Sequence, residues 1–170
     1  RELKEAGITK VVMMTGDSER TAAAIAKRVG VDEYYSEVLP EDKASFVEKE
    51  KELGHKVIMI GDGINDSLAL SSASVGIAIS DGAAIAREIA DVTISADNLH
   101  EIVTLKRLST ALMKRIHNNY RTIIGINGGL IALGVTGIIM PTTSALLHNM
   151  STLTISLRSV RNLLPKEEEA

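Results

Sequence analysis

From Thr122 to Leu157 the chain has no Asp, Glu, Lys or Arg, and His148 is the one titratable side chain in that stretch. Such a run splits the sequence into two unlike parts, because nearly all the charge lies between residues 1 and 121. The 18 residues from Ile123 to Met140 (IIGINGGLIALGVTGIIM) would make a helix about 27 Å long, close to the roughly 30 Å of bilayer hydrocarbon. After Pro141 a more polar segment, 142 to 157, ends at Arg158 and Arg161, whose long stems can reach a membrane interface. Basic residues precede the stretch (Lys106, Arg107, Lys114, Arg115, Arg121) and follow it (Arg158, Arg161, Lys166). That pattern predicts a transmembrane helical hairpin with both ends on the cytoplasmic side and the MPTTS turn outside. A helical hairpin buried in a soluble core is the alternative. Gly125 and Gly129 form a GxxxG pair that lets helices approach closely in lipid, which implies packing against helices beyond this sequence.

The charged part alternates. KVVMM (10 to 14) is a short apolar run fit for a buried parallel strand, and SERTAAAIAKRVG (18 to 30) follows as a helix with Ser18 at its start and Gly30 at its stop. The order repeats: a helix from Pro40 to Gly54, a strand in HKVIMI, a short helix in NDSLALSSA, a strand in SVGIAI, a helix in DGAAIAREIA and a strand in DVTIS. Strands alternating with helices predict an α/β fold, a parallel sheet with helices on both faces. Residues 97 to 122 have helical spacing, with Asp97 or Asn98 as cap, and lead directly into the uncharged stretch. RELKEAG at the start reads as the last turns of a helix closed by Gly7, as expected of a piece of a longer chain.

Charge and cysteine exclude some functions. The net charge is −3 with scattered signs, without the clustered Lys and Arg that nucleic acid requires. With no cysteine there is no disulfide framework, thiolate metal site or thiol nucleophile.

Ligands of a parallel sheet bind outside the C-terminal ends of its strands. TGD (15 to 17) follows the first strand and GDGIND (61 to 66) follows the second, so both motifs fall at that edge. Asp62 and Asp66 offer hard oxygen ligands for Mg²⁺, which keeps several waters and octahedral geometry. Gly61 and Gly63 let the backbone pass close to an ion or phosphate. Thr15 can hydrogen-bond a phosphoryl oxygen, and Lys43 in PEDK can neutralise its charge. Each motif alone is an ordinary turn or helix start; the three together, in this order, are specific. In the uncharged stretch, Asn127, His148, Asn149, Ser151 and Thr152 are polar groups at membrane depth, where they mark a pathway unless they are structurally satisfied.

TGD, PEDK and GDGINDSLAL resemble the second, third and fourth motifs of the haloacid dehalogenase superfamily, in the wording of P-type ATPases. The two apolar segments resemble the last transmembrane pair of the heavy-metal-transporting P-type ATPases. The resemblance implies a haloacid-dehalogenase-like, Rossmann-type fold. It also implies that Thr15, Lys43 and Asn65 bind the phosphoryl group of an aspartyl phosphate, that Gly16 and Asp17 lie near the nucleotide, and that Asp62 and Asp66 hold Mg²⁺, with ATP as substrate. HNMST (148 to 152) resembles the final-helix motif that begins with a metal ligand, which implies His148, with Asn127, Ser151 and Thr152, as the site of a transported heavy-metal cation. The DKTGT nucleophile, the nucleotide-binding and actuator domains and the cysteine-bearing metal helix do not occur here.

The expected organisation is therefore half a phosphorylation domain (1 to 96), a connecting helix (97 to 121), two transmembrane helices (122 to 158) and a cytoplasmic tail (159 to 170). The expected protein is an ATP-driven metal exporter, multi-pass in the cytoplasmic membrane with its phosphorylation domain in the cytoplasm, and its nucleophile lies upstream of this piece. A soluble phosphatase of the haloacid dehalogenase type and a non-catalytic Mg²⁺- or phosphate-binding module are the alternatives.

Overall fold

The computed structural model describes residues 1–62, 64–79, 84–95 and 98–163. Gly63, the start of the expected helix at 81–83, the candidate cap Asp97 and residues 164–170 lie outside the described residues. The chain divides into two compact units, Arg1–Val103 and Thr104–Ala170.

The first unit begins with α1 (Glu2–Glu5), closed by Gly7 at φ +96°. Then β1 (Val12–Met14) leads into α2 (Glu19–Val29), which buries Ala22 and Ala26, one helical turn apart. Gly30 ends α2 at φ +78°, in the left-handed conformation open to a residue without Cβ. Next come β2 (Glu33–Tyr35), α3 (Pro40–Glu52), β3 (Ile58–Gly61), a 3₁₀ turn (Ile64–Asp66), α4 (Ser67–Ser72), β4 (Val75–Ile79), α5 (Ala84–Ile89) and β5 (Val92–Ile94).

All strand pairs are parallel, as expected, but the strands form two sheets rather than one. In one, β1 pairs with β2, with Val12 opposite Glu33 and Met14 opposite Tyr35. In the other, β4 lies between β3 and β5, with Ile77 opposite both Ile60 and Val92. Among the described residues β1 and β3 each keep one edge without a strand partner. The sequence reading missed β2, because EYY is three residues long and exposed on every one.

The core of this unit lies between α3, α4 and the β3–β4–β5 sheet. Val47, Ala69, Leu70, Ile77 and Ala78 are buried there, and Leu70 and Ala78 pack with Met59 and Ala90. Burial of a side chain such as Leu70 contributes about 1.5–3 kcal/mol. At Gly76 the α4 backbone comes so close that an added Cβ would lie 2.7 Å from the Leu70 carbonyl oxygen.

The long helix α6 runs His100–Val135, and Asn98 caps it by accepting from the His100 N–H at 3.2 Å. In the second unit it is joined by α7 (Pro141–Ser159), with proline in the first turn where its missing N–H costs nothing. Arg115 of α6 closes the far end of this pair. Its guanidinium donates to the carbonyls of Ser159 (3.0 Å), Asn162 (2.9 Å) and Arg161, and Asn119 donates to the Ser159 hydroxyl at 2.7 Å. The last carbonyls of a helix lack partners and carry the negative end of its dipole, so a planar cation is well matched to them.

One expectation for this unit needs correction. Among the described residues no helix is long and apolar enough to cross a membrane. The apolar run 123 to 140 is not one helix: α6 stops at Val135, and Gly137 turns the chain at φ +73°. Only residues 123 to 135 of the run are helical, 13 residues or about 20 Å, against a hydrocarbon core of roughly 30 Å. In α7, His148, Asn149 and several Ser and Thr residues dilute the apolar content.

Candidate active site

GDGIND begins where β3 ends. Gly61 is the last strand residue, Asp62 follows exposed, and the 3₁₀ turn carries Asp66 back over the strand as the residue preceding α4. Asp66 is only 7 % exposed, the one buried charged residue among those described. A Cβ on Gly61 would meet Asp66 Cβ at 2.6 Å and Oδ2 at 2.9 Å, so the turn closes only over a glycine. Asp66 Oδ1 also accepts from Lys43 Nζ at 2.7 Å. Lys43 lies in the first turns of α3, a helix begun by Pro40 and fixed by the Asp42 carboxylate, which accepts from the Leu39 N–H at 3.2 Å. Two motifs separated by 23 residues thus meet in one largely desolvated ion pair.

The TGD turn at the end of β1 is held from inside and outside. Thr15 Oγ1 donates to Asp17 Oδ2 at 2.9 Å and accepts from the Asp17 N–H at 3.1 Å, so its hydroxyl serves the turn itself. Two backbone bonds then tie the turn to the segment after β2: Glu37 N–H to the Asp17 carbonyl at 2.9 Å and Val38 N–H to the Thr15 carbonyl at 3.0 Å. Glu37 reaches this position at φ +52°, a conformation that costs a non-glycine residue about 1–3 kcal/mol. Gly16 has ordinary room, since a Cβ there would lie 3.9 Å from the Val38 carbonyl oxygen.

Beside this turn a cavity of about 690 Å³ is lined by Met14, Tyr35, Val38 and Phe46 and by the carboxylate residues Glu19 and Asp42. Glu19 holds one wall together, accepting from Ser36 Oγ at 2.5 Å and from Tyr34 Oη at 2.7 Å. The Ser36 bond and then the Tyr34 bond hold the Glu19 carboxyl below its ordinary range. Sequence reasoning singled out none of Glu19, Tyr34, Ser36 and Glu37. No spacing joins them, and only the Tyr-Tyr pair signals a strand.

In the helical pair, His148 Nδ1 lies 2.8 Å from Asn127 Oδ1, which joins two of the four predicted cation-site residues. Ser151 Oγ and Thr152 Oγ1 instead donate to the His148 carbonyl at 2.8 and 3.1 Å, so their protons are engaged inside α7. Asn65 is exposed and Gly63 is outside the described residues.

Residues 1–74 match the model of the haloacid dehalogenase-like hydrolases. A zinc-exporting P-type ATPase of Mycobacterium marinum is 37 % identical over 161 residues, which cover 94 % of this chain and 22 % of that protein. A copper-exporting P-type ATPase of Bacillus subtilis is 39 % identical over 159 residues, 94 % of this chain and 20 % of that protein. The crystal structure of a zinc-transporting PIB-type ATPase in the E2P state superposes with a TM-score of 0.85 at 33 % identity, over 96 % of this chain and 26 % of that one. Over nearly its whole length the chain is similar to one part of these heavy-metal P-type ATPases. It spans about a fifth of the length of the curated relatives it matches.

The donor set around GDGIND suits the divalent cation that P-type ATPases and their hydrolase kin generally use. Among the described residues there is no cluster of three His, Cys, Asp or Glu that would enclose a metal. Mg²⁺ needs no such cage; one or two carboxylates, waters and a substrate phosphate suffice. Asp62 makes no side-chain hydrogen bond or ion pair among the described residues, and Asp66 is held in place by Gly61 and Lys43. One carboxylate is therefore available and the other is fixed.

Proposed function

We propose that the full-length protein is an ATP-driven heavy-metal cation exporter that works through an aspartyl phosphate, and that this chain supplies the Mg²⁺ and phosphate-binding half of the phosphorylation site. The observation that carries the reading is the Lys43–Asp66 pair, 2.7 Å long and nearly buried at the C-terminal end of a parallel strand. A carboxylate so enclosed is destabilising unless partnered, and its place at the strand end is where such sheets bind ligands.

In this reading Asp62 and Asp66 hold Mg²⁺, which when bound neutralises the charge on the transferring phosphoryl oxygens. Lys43 does two jobs. It orients Asp66, and its remaining donors face the phosphoryl group as a point cation. Thr15 binds a phosphoryl oxygen by turning its hydroxyl away from Asp17, Asn65 supports the phosphate, and Gly16, Asp17, Gly61 and Gly63 let the backbone approach. The attacking aspartate comes from the longer chain, and the open edges of β1 and β3 leave room for a strand that would carry it to this edge.

We assign α6 and α7 to the membrane-embedded part of the whole transporter. The reading is supported by a stretch without charged residues and by exposed apolar side chains such as Ile131, Val135, Ile138, Leu146 and Leu157. Packed among other helices, a segment need not be long and apolar enough to cross alone. His148 is the proposed cation ligand. Imidazole suits zinc and copper, the ions in the relatives' names, among other borderline metals.

Asp66→Asn in the full-length protein tests the assignment: acid-stable phosphoenzyme from ATP should be lost. Normal phosphorylation at limiting Mg²⁺ would remove Asp66 from the site. A second reading, a soluble phosphatase with the same site, is favoured by the absence of a membrane-crossing helix among the described residues. Extraction decides between them, since a full-length protein that leaves the membrane fraction without detergent rules out the exporter.

A further inference from the structure

We propose that Asn127 is not a ligand of the transported cation but the residue that fixes the tautomer of His148, so that Nε2 is the ligating nitrogen. The proposal deepens, and rests on, the reading of His148 as a cation ligand. An amide oxygen can only accept, so the 2.8 Å contact between His148 Nδ1 and Asn127 Oδ1 requires the hydrogen to sit on Nδ1. The neutral ring then keeps its lone pair on Nε2, the nitrogen opposite the contact. With its oxygen committed to Nδ1–H, Asn127 stands one bond removed from any ion on Nε2, as the hydrogen-bond partner of a ligating histidine does.

The surroundings of His148 agree. Its own carbonyl accepts from Ser151 and Thr152 at 2.8 and 3.1 Å, so these hydroxyls reinforce the turn that carries His148 and point their protons at the backbone. The α6 residue therefore holds the ring, and the two hydroxyls hold the backbone that carries it. Asn127 brings no charge of its own to the ring, in keeping with a stretch that has no Asp, Glu, Lys or Arg. This pair thus offers one neutral nitrogen, and the ligands that balance the charge of a divalent cation come from outside 122–157.

The test uses the full-length protein in lipid, labelled with ¹⁵N-histidine and free of metal, with the His148 signals identified by their loss in His148→Gln. Solid-state NMR at mildly alkaline pH should find Nδ1 protonated and Nε2 bare. Asn127→Leu should return the ring to the Nε2–H form, and Asn127→Asp, which keeps an acceptor oxygen, should preserve Nδ1–H. Zn²⁺ should then shift Nε2 in the wild type. In Asn127→Leu its dissociation constant should rise about 10- to 100-fold, while X-ray absorption counts the same number of nitrogen and oxygen neighbours around zinc. An Nε2–H ring in the metal-free wild type overturns the proposal, as does the loss of one neighbour in Asn127→Leu. An Nδ1–H ring whose Nε2 does not respond to Zn²⁺ overturns the ligating half, together with the cation-site reading beneath it, and leaves the tautomer standing.

Discussion

Gly61→Ala is the sharpest probe of the proposed site, because one methyl group strikes one carboxylate. The new Cβ would lie 2.6 Å from Asp66 Cβ and 2.9 Å from both Cγ and Oδ2, where ordinary contact begins at 3.4 Å. An overlap of 3.4 − 2.6 = 0.8 Å must therefore be relieved. The strand cannot retreat easily, since Gly61 is paired with Ala78 of β4, which is fully buried. Asp66 must move instead, and overpacking of this kind costs about 1–3 kcal/mol. A shift of that size takes the 2.7 Å Lys43–Asp66 bond out of its present geometry, since good N–H···O bonds keep within about 2.7–3.2 Å. Misplacing a positioning group by about 1 Å can cost on the order of 100-fold in rate. Full-length protein should thus melt at a lower temperature, form phosphoenzyme from ATP about two orders of magnitude more slowly and need more Mg²⁺ for half-maximal phosphorylation. If the variant melts earlier yet phosphorylates at the wild-type rate with wild-type Mg²⁺ dependence, Asp66 is packed as described but has no part in the chemistry. An unchanged melting temperature would refute the packing argument itself.

Two further outcomes are expected. Asp32 accepts from Lys4 and from the Val11 N–H at 2.8 Å, and these bonds, that of Lys4 first, hold its carboxyl below the usual range. Its stabilising effect is therefore present above the ordinary Asp value of about 4 and is lost as pH falls through the depressed one; hydrogen-exchange protection of the Val11 amide should follow that course, and Asp32→Asn should abolish the dependence. Arg115→Ala removes a charged donor from three carbonyls at the end of α7, at about 1.5–3 kcal/mol for a hydrogen bond to a charged group. Exchange should speed up selectively at residues 155–162, and uniform protection across α7 would mean that the guanidinium holds nothing in place.

The sequence made the local architecture legible wherever a physical signal was strong. Glycines at 7, 30 and 54 close helices with positive φ, as their positions suggested, and the apolar runs before TGD and GDGIND are parallel strands. Strand β2 was not legible, because three exposed residues bury too little to leave a pattern. The division into two sheets was also hidden, since alternation of strands and helices gives their direction and not their neighbours. In the uncharged stretch, hydropathy read Ile123 to Met140 as one helix, but Gly137 at φ +73° ends it early. Composition averages over a turn that geometry does not. At the site, Asp66 and Lys43 were each recognisable by motif, whereas their direct contact and the close fit over Gly61 appear only in three dimensions. The Glu19 network and the strained Glu37 left no trace in spacing at all.

The free edges of β1 and β3 bear on solubility during synthesis. Each is a short strand rich in Val, Ile and Met without proline, and Ile58 of β3 is 38 % exposed. An unpaired row of N–H and C=O groups on such a strand is a template for another chain, and intermolecular pairing competes with the proper partner until that partner arrives. Lys10 precedes the first apolar run and Lys56 the second, and charges in those places oppose stacking between chains. The same open edges that are proposed to receive the reacting strand therefore make an isolated piece of this protein prone to aggregate, and removing either lysine should worsen that before it alters any activity.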